Sequence, residues 1–272
     1  MTIEKMTPKR MIARFAETVL PPLVVFALVI AVWQACVVGF RLKPYLLPTP
    51  LAVMRAFGND SGLLGRAVVY TGSAALLGFG ASLVIGTLIA FAFSQSRILR
   101  AGGYPYFIFL QTVPIVAIAP LIVRWCGYGF QSVVLVASIL SLFPILSNGT
   151  QGLLDIDPDL LDLFRINNSS RWQVLTKLRF PSAVPGILAG ARTASGLAVV
   201  GSIVGEFFVG YGSKQFGLGY LIFSTSGQSE LDRLFAAVLT STLFGIAIFG
   251  LVNLISVTIL RNWYDGPVEH RR

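Results

Sequence analysis

The chain has 272 residues, of which 55% are hydrophobic and only 12% are charged. A typical soluble domain is about 25% charged, so this composition argues against a soluble protein and favours an integral membrane protein. The net charge of +9 is compatible with a nucleic-acid ligand, but the basic residues fall mainly between long apolar runs, where they fit the flanks of membrane spans better.

Six apolar stretches are long enough to cross a hydrocarbon core of roughly 30 Å, which takes about 20 helical residues. Five of them carry no charge: Val19–Phe40, Ala67–Gln95, Ala101–Val123, Trp125–Leu154 and Leu234–Leu260. The sixth, Phe180–Gly205, is interrupted only by Arg192. Transmembrane β-strands alternate apolar and polar residues instead. The sequence therefore predicts an all-α integral membrane protein with about six transmembrane helices.

The spans divide the chain into three predicted parts. Residues 1–18 are basic and are predicted to form a short amphipathic helix at the cytoplasmic surface, after which Pro21-Pro22 opens the first span. The membrane domain is predicted over residues 19–261, followed by a cytoplasmic tail at 262–272. More basic residues flank the side shared by the two termini than the opposite side, so the positive-inside rule predicts both termini in the cytoplasm.

Small residues and prolines shape the central spans. The second span is rich in glycine, alanine and serine, which let transmembrane helices approach closely. The third and fourth spans contain Pro114, Pro120 and Pro144, which we expect to bend them.

A hydrophilic segment at residues 155–180 separates spans four and five. Asp157-Pro158 is a helix start, with Asp as the cap and Pro at the first helical position. Asn167–Ser170 is predicted to break this helix and Ser169 or Ser170 to cap a second one, which ends before Pro181. Because the second helix carries Trp172, Leu175 and Leu178 on one face, we expect a helix–turn–helix with an exposed apolar stripe. Such a segment lies on lipid headgroups or docks in a partner's groove, and the residues alone leave both open.

The hydrophilic segment resembles the coupling motif of binding-protein-dependent ABC importer permeases. That motif reads Glu-Ala-Ala, three residues, then Gly. Asp162-Leu163-Phe164 stands at the Glu-Ala-Ala position and Asn168 at the Gly position. Ser170-Arg171-Trp172-Gln173 matches a frequent Ser-Arg-Trp-Gln continuation, and Phe180-Pro181 matches a Leu-Pro. Asn is the non-Gly residue that best tolerates the left-handed conformation, so the turn is expected to survive the replacement of Gly.

The resemblance extends over nearly the whole chain. Further matching segments are Leu47–Pro50, Gln111–Pro114, Ala119–Ile122, Phe143–Ile145 and Gly217–Ile222. Their order and spacing point to the branch of the family that imports nitrate, sulfonates, taurine, thiamine-precursor pyrimidines or riboflavin. The transported solute is thus expected to be a small heterocycle (a thiamine-precursor pyrimidine or riboflavin) or an oxyanion.

The resemblance implies a type I importer permease fold with cytoplasmic coupling helices between spans four and five. It implies a non-catalytic subunit of the bacterial inner membrane, without a cofactor or metal, that receives its solute from an extracytoplasmic binding protein. The implied partners are two ATP-binding subunits and a second permease subunit, expected to be identical. The residues implied to contact an ATP-binding subunit are Asp162, Leu163, Phe164, Asn168, Ser170, Arg171, Trp172 and Leu175.

Little else in the sequence carries chemistry. The absence of a Gly-Lys dipeptide rules out a P-loop, so the chain is not itself the ATPase. Glu206 lies near the outer end of span five, where it is either part of an outer gate or a solvated edge residue, and Gly210–Gly219 after it is read as a flexible loop. The alternative function is an ion-gradient-driven secondary transporter or channel, which needs ionisable residues near the midplane. The chain supplies few ionisable residues there.

Overall fold

The computed structural model describes residues 8–209 and 216–264, and within these ranges the ordered elements are helices, with no strand. The prediction of an all-α protein is confirmed. The α-helices, in chain order, are α1 Pro8–Gly39, α2 Pro50–Asn59, α3 Ser61–Gln95, α4 Arg97–Thr112, α5 Ile115–Cys126, α6 Phe130–Leu154, α7 Pro158–Ile166, α8 Arg171–Val174, α9 Phe180–Val209, α10 Leu218–Gly227 and α11 Leu231–Tyr264.

Five helical segments are long and apolar enough to cross a membrane, and a sixth span arises if α4 and α5 are counted together. These two helices are bent by 100° at their junction. Pro114 causes the break because it lacks an N–H and holds the preceding Val113 in an extended conformation, with φ −72° and ψ 126°. By contrast, Pro120 and Pro144 lie inside α5 and α6. The predicted third span is therefore two helices, and the count of about six spans holds.

The amino-terminal helix differs from the prediction. α1 runs from Pro8 to Gly39 through Pro21 and Pro22, so the proline pair does not open a new helix. Only its part from Leu20 onward has the composition of a span. Residues 1–7 of the predicted amphipathic helix and residues 265–272 of the predicted tail lie outside the described residues.

Two compact units make up the described chain. The first comprises the residues up to Ser61 together with Thr225–Ala236. Its apolar centre joins α1, α2 and the start of α11, where the rings of Trp33 and Phe235 lie 5.6 Å apart. Arg233 adds two hydrogen bonds to the Asp60 carboxylate, at 2.8 and 3.1 Å.

The second unit comprises Gly62–Ser224 and the residues from Ala237 onward. Within it α6 and α9 pack closely against each other, and glycines remove the side chains that would keep their backbones apart. A Cβ atom added at Gly190 would lie 2.6 Å from the carbonyl oxygen of Pro144, and one at Gly201 would lie 2.8 Å from the Cα of Ala137. This close approach fixes α9 against α6, and α9 is the helix that leads out of the hydrophilic segment.

Gly190→Ala is therefore expected to lower the free energy of unfolding by about 1–3 kcal/mol, because the new methyl group meets backbone atoms that cannot move aside. The measurement is the melting temperature of the purified chain in detergent. Gly196 on the same helix is the matched control, since a Cβ there meets nothing within 4 Å. Gly196→Ala should be neutral or slightly stabilising. Equal loss of stability in both variants would contradict this account of the packing.

Candidate functional site

The hydrophilic segment between α6 and α9 begins with the short helix α7. Asp157 caps α7 by accepting a hydrogen bond from the backbone N–H of Asp159 at 3.0 Å, and Pro158 occupies the first helical turn. Both features satisfy or remove N–H groups that have no partner within a helix. The predicted start of this helix is confirmed.

A tight turn joins α7 to α8. Asn168 has a φ of 50°, in the left-handed region, as its place at the Gly position of the coupling motif implied. Ser170 then opens α8 with a reciprocal capping box: its hydroxyl accepts from the N–H of Gln173 at 3.2 Å, and the Gln173 side chain accepts from the N–H of Ser170 at 2.8 Å. Of the two serines considered from the sequence, Ser170 is the cap, and the helix–turn–helix prediction is confirmed.

The turn gives a direct stability prediction. Asn168→Val is expected to destabilise it by about 1–2 kcal/mol, because a β-branched residue fits the left-handed region poorly, whereas Asn168→Gly should leave it intact. Hydrogen exchange of the amides in residues 163–174 measures the difference. We expect faster exchange in the valine variant and unchanged exchange in the glycine variant. Equal exchange in the two would mean that the backbone conformation of Asn168 does not limit the turn.

The second helix does not end before Pro181, contrary to the prediction. Arg171 to Val209 is one continuous helix, in which a π-helical turn at Leu175–Arg179 joins α8 to α9. In this turn the N–H of Phe180 bonds to the carbonyl of Leu175, five residues back. The widened turn gives room to the ring of Pro181, which would otherwise press against the carbonyl four residues before it. α8 and the membrane span that follows it thus form a single rod.

The predicted apolar stripe is only partly exposed. Trp172 is 71% exposed, as are large parts of Leu163 and Ile166 on α7, at 54% and 79%. Leu178, however, is buried, and Leu175 packs against the core cluster of the bundle. The residues of the stripe therefore have two different environments. Trp172 faces outward, whereas Leu175 and Leu178 hold the helix against the bundle.

The π turn is also tied to the end of α3. The guanidinium of Arg179 donates a hydrogen bond to the backbone carbonyl of Ser94 at 2.8 Å. Such carbonyls at a helix end have no partner within the helix, so a cation there is favourable. Close by, Leu175 packs on a cluster that includes Phe93, Leu153 and Ala183. Movement of α8 would consequently be passed to α3 and α6 as well as to α9.

The remaining motif residues lie at the surface of the segment. Asp162 forms an ion pair with Arg165 at 2.9 Å, and the two side chains are 62% and 77% exposed. An exposed pair of this kind contributes little to stability, about 0.3–0.5 kcal/mol. Arg171 is exposed and Phe164 is half-buried. The carboxylate of Asp162 is thus accessible to a partner.

At the far end of α9, Glu206 is the centre of a second polar cluster. Its side chain is only 2% exposed, so the sequence-based alternative of a solvated edge residue is wrong. Its Oε2 accepts hydrogen bonds from the hydroxyl of Thr71, at 3.1 Å, and from the N–H of Gly219, at 2.7 Å. The Thr71 hydroxyl in turn accepts from the N–H of Leu218 at 2.9 Å. Glu206 and Thr71 therefore cap the first turn of α10 from α9 and α3.

Two glycines make this arrangement sterically feasible. A Cβ atom at Gly217 would overlap the Glu206 carboxylate, and one at Gly219 would overlap the carbonyl of Ile203. Both glycines belong to the run Gly210–Gly219 that was read as a flexible loop. That interpretation is wrong for these two buried residues, whose lack of a side chain lets α10 dock on α9; residues 210–215 lie outside the described residues.

The other two ionisable residues in or near spans lie apart from this cluster. Arg192 is half-buried in α9 and donates a hydrogen bond to the Asn253 side chain of α11 at 3.4 Å. Arg124 is exposed in the last turn of α5, where a cation interacts favourably with the helix dipole. Neither contributes to the Glu206 cluster.

Known proteins resemble this chain in sequence and in structure. A family profile described as "Binding-protein-dependent transport system inner membrane component" matches residues 82–263. The riboflavin transport system permease protein RibX of Chloroflexus aurantiacus is 33% identical over 262 residues, which cover 95% of this chain and 96% of that protein. The formylaminopyrimidine transport permease protein ThiX of Halalkalibacterium halodurans is 31% identical over 247 residues, covering 90% of this chain and 96% of that protein.

A similar fold occurs in a solved structure of the MetNI methionine ABC transporter in inward-facing conformations. It matches with a TM-score of 0.53 and 18% sequence identity, over 80% of this chain and 98% of that one. At this identity the likeness concerns the fold alone.

Proposed function

The chain belongs to the family of binding-protein-dependent transport system inner membrane components, and on that premise we propose that it is the membrane-spanning subunit of an ATP-driven importer for a small solute. It has the predicted type I importer permease fold. In this proposal the chain performs no catalysis. ATP is hydrolysed by a partner chain, and the permease converts that reaction into movement of its helices.

The observation that carries this proposal is the continuous helix Arg171–Val209. One end presents the exposed Trp172 beside the exposed apolar residues of α7. The other end holds Glu206 under α10. A force applied at α8 would be transmitted through the rod to the opposite end of the second unit, as an ATP-driven transporter requires.

We assign the contact with the ATP-binding subunit to the two-helix segment. An amphipathic helix pair with exposed apolar anchors fits a groove in a partner protein. The residues assigned to the contact surface are Asp162, Leu163, Phe164, Asn168, Ser170, Arg171 and Trp172. Leu175 has a different place, because it packs on the bundle, and we assign to it the transmission of movement from that surface.

The hydrogen bond from the Arg179 guanidinium to the Ser94 carbonyl provides a test of how movement passes from α8 to the bundle. Arg179→Gln is expected to leave ATP hydrolysis in place but to lower the solute transported per ATP by roughly 2- to 30-fold, the range for residues that couple distant sites. Lys177→Gln is the control, because Lys177 is an exposed residue of the same π turn. The measurement is the ratio of uptake to hydrolysis in proteoliposomes. An equal loss in both variants would mean that the Arg179 contact carries no coupling.

We further propose that the Glu206 cluster is part of the outer gate. The carboxylate holds the first turn of α10 between α9 and α3, so a shift of α9 would release or tighten that helix. The extracytoplasmic binding protein would deliver the solute at this end.

The proposal fixes the orientation of the chain in the bacterial inner membrane. The end that carries α7 and α8 is cytoplasmic, as are both termini. Residues 1–18 form the cytoplasmic amino-terminal segment, residues 19–261 the permease domain with its coupling segment at 155–180, and residues 262–272 the cytoplasmic tail. Two copies of the chain, with two ATP-binding subunits, complete the transporter.

The names of the relatives support a proposal for the class of substrate. We propose a small heterocycle, because riboflavin and a formylaminopyrimidine appear in the names of the two relatives described above. An oxyanion such as a sulfonate, taurine or nitrate is the alternative that the resemblance implies. Uptake competition between riboflavin, a thiamine-precursor pyrimidine and taurine distinguishes these classes.

The assembly is tested by purifying the chain from its native membrane in mild detergent and identifying the co-purifying proteins by mass spectrometry. We expect an ATP-binding subunit in a stoichiometric amount and a solute-binding protein in a smaller amount. Recovery of the chain without any ATP-binding protein, in a preparation that still transports, would contradict the proposal.

A further inference from the structure

A cavity of about 590 Å³ lies between α4 and α6, at the end of the bundle where α6 is followed by α7. α4 contributes Arg97, Arg100 and Tyr104, and α6 contributes Thr150 and Gln151. On α4 these residues are three or four positions apart, and on α6 Thr150 and Gln151 follow the lining residue Ser147 by three and four positions, so each set lines one face of its helix. The cavity is independent of the coupling segment and of the Glu206 cluster.

The depth of the cavity is set by one contact. The hydroxyl groups of Tyr104 and Ser147 lie 2.9 Å apart and join the two helices. From that contact α4 runs back to Arg97 and α6 runs on to Leu154, and both residues line the cavity. The helices are thus held together at one level, and the space between them lies toward the start of α4 and the end of α6.

The charge of the cavity is positive and not neutralised. Arg97 is exposed and Arg100 half-buried, and neither forms an ion pair with any residue in the described part of the chain. Both belong to the first turn of α4, whose dipole adds further positive potential. Asp155, just after α6, has no ion pair with either arginine among the described residues. The site therefore favours an anion.

A second observation points to a ligand. Thr150, which also lines the cavity, is 3% exposed, and its hydroxyl has no hydrogen-bond partner among the described residues. A buried hydroxyl without a partner is unfavourable, and a threonine in a helix ordinarily bonds to a carbonyl one turn back. An oxygen-rich ligand in the cavity would provide the missing partner after a small rotation of the side chain.

The walls of the cavity suit an amphiphile. Ala101, Pro105 and Leu154 are apolar residues of its lining. Beside them on α4, Ile98 is 84% exposed and Phe109 is 65% exposed, so apolar surface continues from the cavity along the helix. A phosphate group with attached acyl chains would contact the arginines and this surface together.

We propose that this cavity binds a phosphate group, with Arg97 and Arg100 as its cationic ligands. Guanidinium groups bind phosphate oxygens through paired hydrogen bonds. The phosphate comes either from an anionic phospholipid of the adjacent leaflet or from phosphate in solution, and the exposed apolar surface favours the phospholipid.

The test is a titration of the purified full-length chain with phosphatidylglycerol, followed by native mass spectrometry. Phosphatidylcholine, which has no net charge, is the comparison lipid. We expect the double variant Arg97→Gln, Arg100→Gln to bind phosphatidylglycerol about thirtyfold more weakly. Arg97→Gln alone should weaken it about fivefold, and this single change involves only an exposed side chain. Arg124→Gln, at an exposed arginine in the last turn of α5, is the matched control and should change nothing.

Inorganic phosphate distinguishes the two sources. If millimolar phosphate leaves the bound phosphatidylglycerol in place, the site takes its phosphate from lipid. If phosphate displaces the lipid and stabilises the chain against heat, the site takes it from solution. Equal affinity for phosphatidylglycerol in the natural chain and the double variant would overturn the proposal, as would an equal loss in Arg124→Gln. No ATP is used, so this result is independent of the importer function.

Discussion

Replacing Trp172 by aspartate is expected to abolish ATP-driven uptake while leaving the chain folded in the membrane. Trp172 is 71% exposed and lies before the apolar run of span five, so the change should not affect insertion. In the proposed complex the indole is a buried anchor, and loss of such a tryptophan commonly costs about 2–4 kcal/mol of binding free energy. Association with the ATP-binding subunit should weaken at least about thirtyfold, and uptake should fall accordingly.

The measurement combines uptake with co-purification of the ATP-binding subunit. Trp172→Phe is the control, because it keeps an aromatic ring in the groove, and it should retain most of the uptake. The amount of chain in the membrane fraction should be equal in all three proteins. Normal uptake by Trp172→Asp would contradict the assignment of the contact surface and would favour α8 as an element lying on the lipid headgroups.

Removing the carboxylate of Glu206 is the second change with a large expected effect. In Glu206→Ala the N–H of Gly219 and the hydroxyl of Thr71 both lose their acceptor, although both remain buried. A buried polar group left unsatisfied costs about 1–3 kcal/mol. We therefore expect the first turn of α10 to open more often, with amide exchange at least about tenfold faster. Solute uptake should fall while ATP hydrolysis continues.

Ser202→Ala separates this effect from a general loss of packing in α9. Ser202 is buried one turn before Glu206, but its hydroxyl donates to the carbonyl of Val199 on the same helix. That variant should keep both the slow exchange of α10 and the uptake. If Glu206→Ala leaves α10 protected, the carboxylate does not hold this helix and the gate proposal is wrong.

The sequence predicted the features that depend on local signals. Long apolar runs predicted the spans, and Asp157-Pro158 predicted the start of α7. The left-handed backbone of Asn168 was implied by the resemblance, which places this residue at the Gly of the coupling motif. Each of these follows from residues close together in the chain, whose propensities and caps decide the conformation without help from the rest of the fold.

The features that were missed depend on contacts between distant residues. Glu206 was left as either a gate or an edge residue because its partner Thr71 is 135 residues earlier in the chain, in a span where no local signal marks that residue. Leu175 was grouped with Trp172 by helical spacing, yet tertiary packing turns it toward the bundle. Prolines gave no decisive signal either, because Pro114 breaks a helix while Pro181 continues one through a π turn.

The central claim is tested most directly by solute uptake into proteoliposomes that contain this chain, its co-purified ATP-binding subunit and the binding protein. ATP is enclosed or omitted, and an ion gradient is imposed or absent. The importer account predicts uptake that requires enclosed ATP and is indifferent to the gradient. Uptake that proceeds without ATP and follows the ion gradient would contradict it and would identify a secondary transporter.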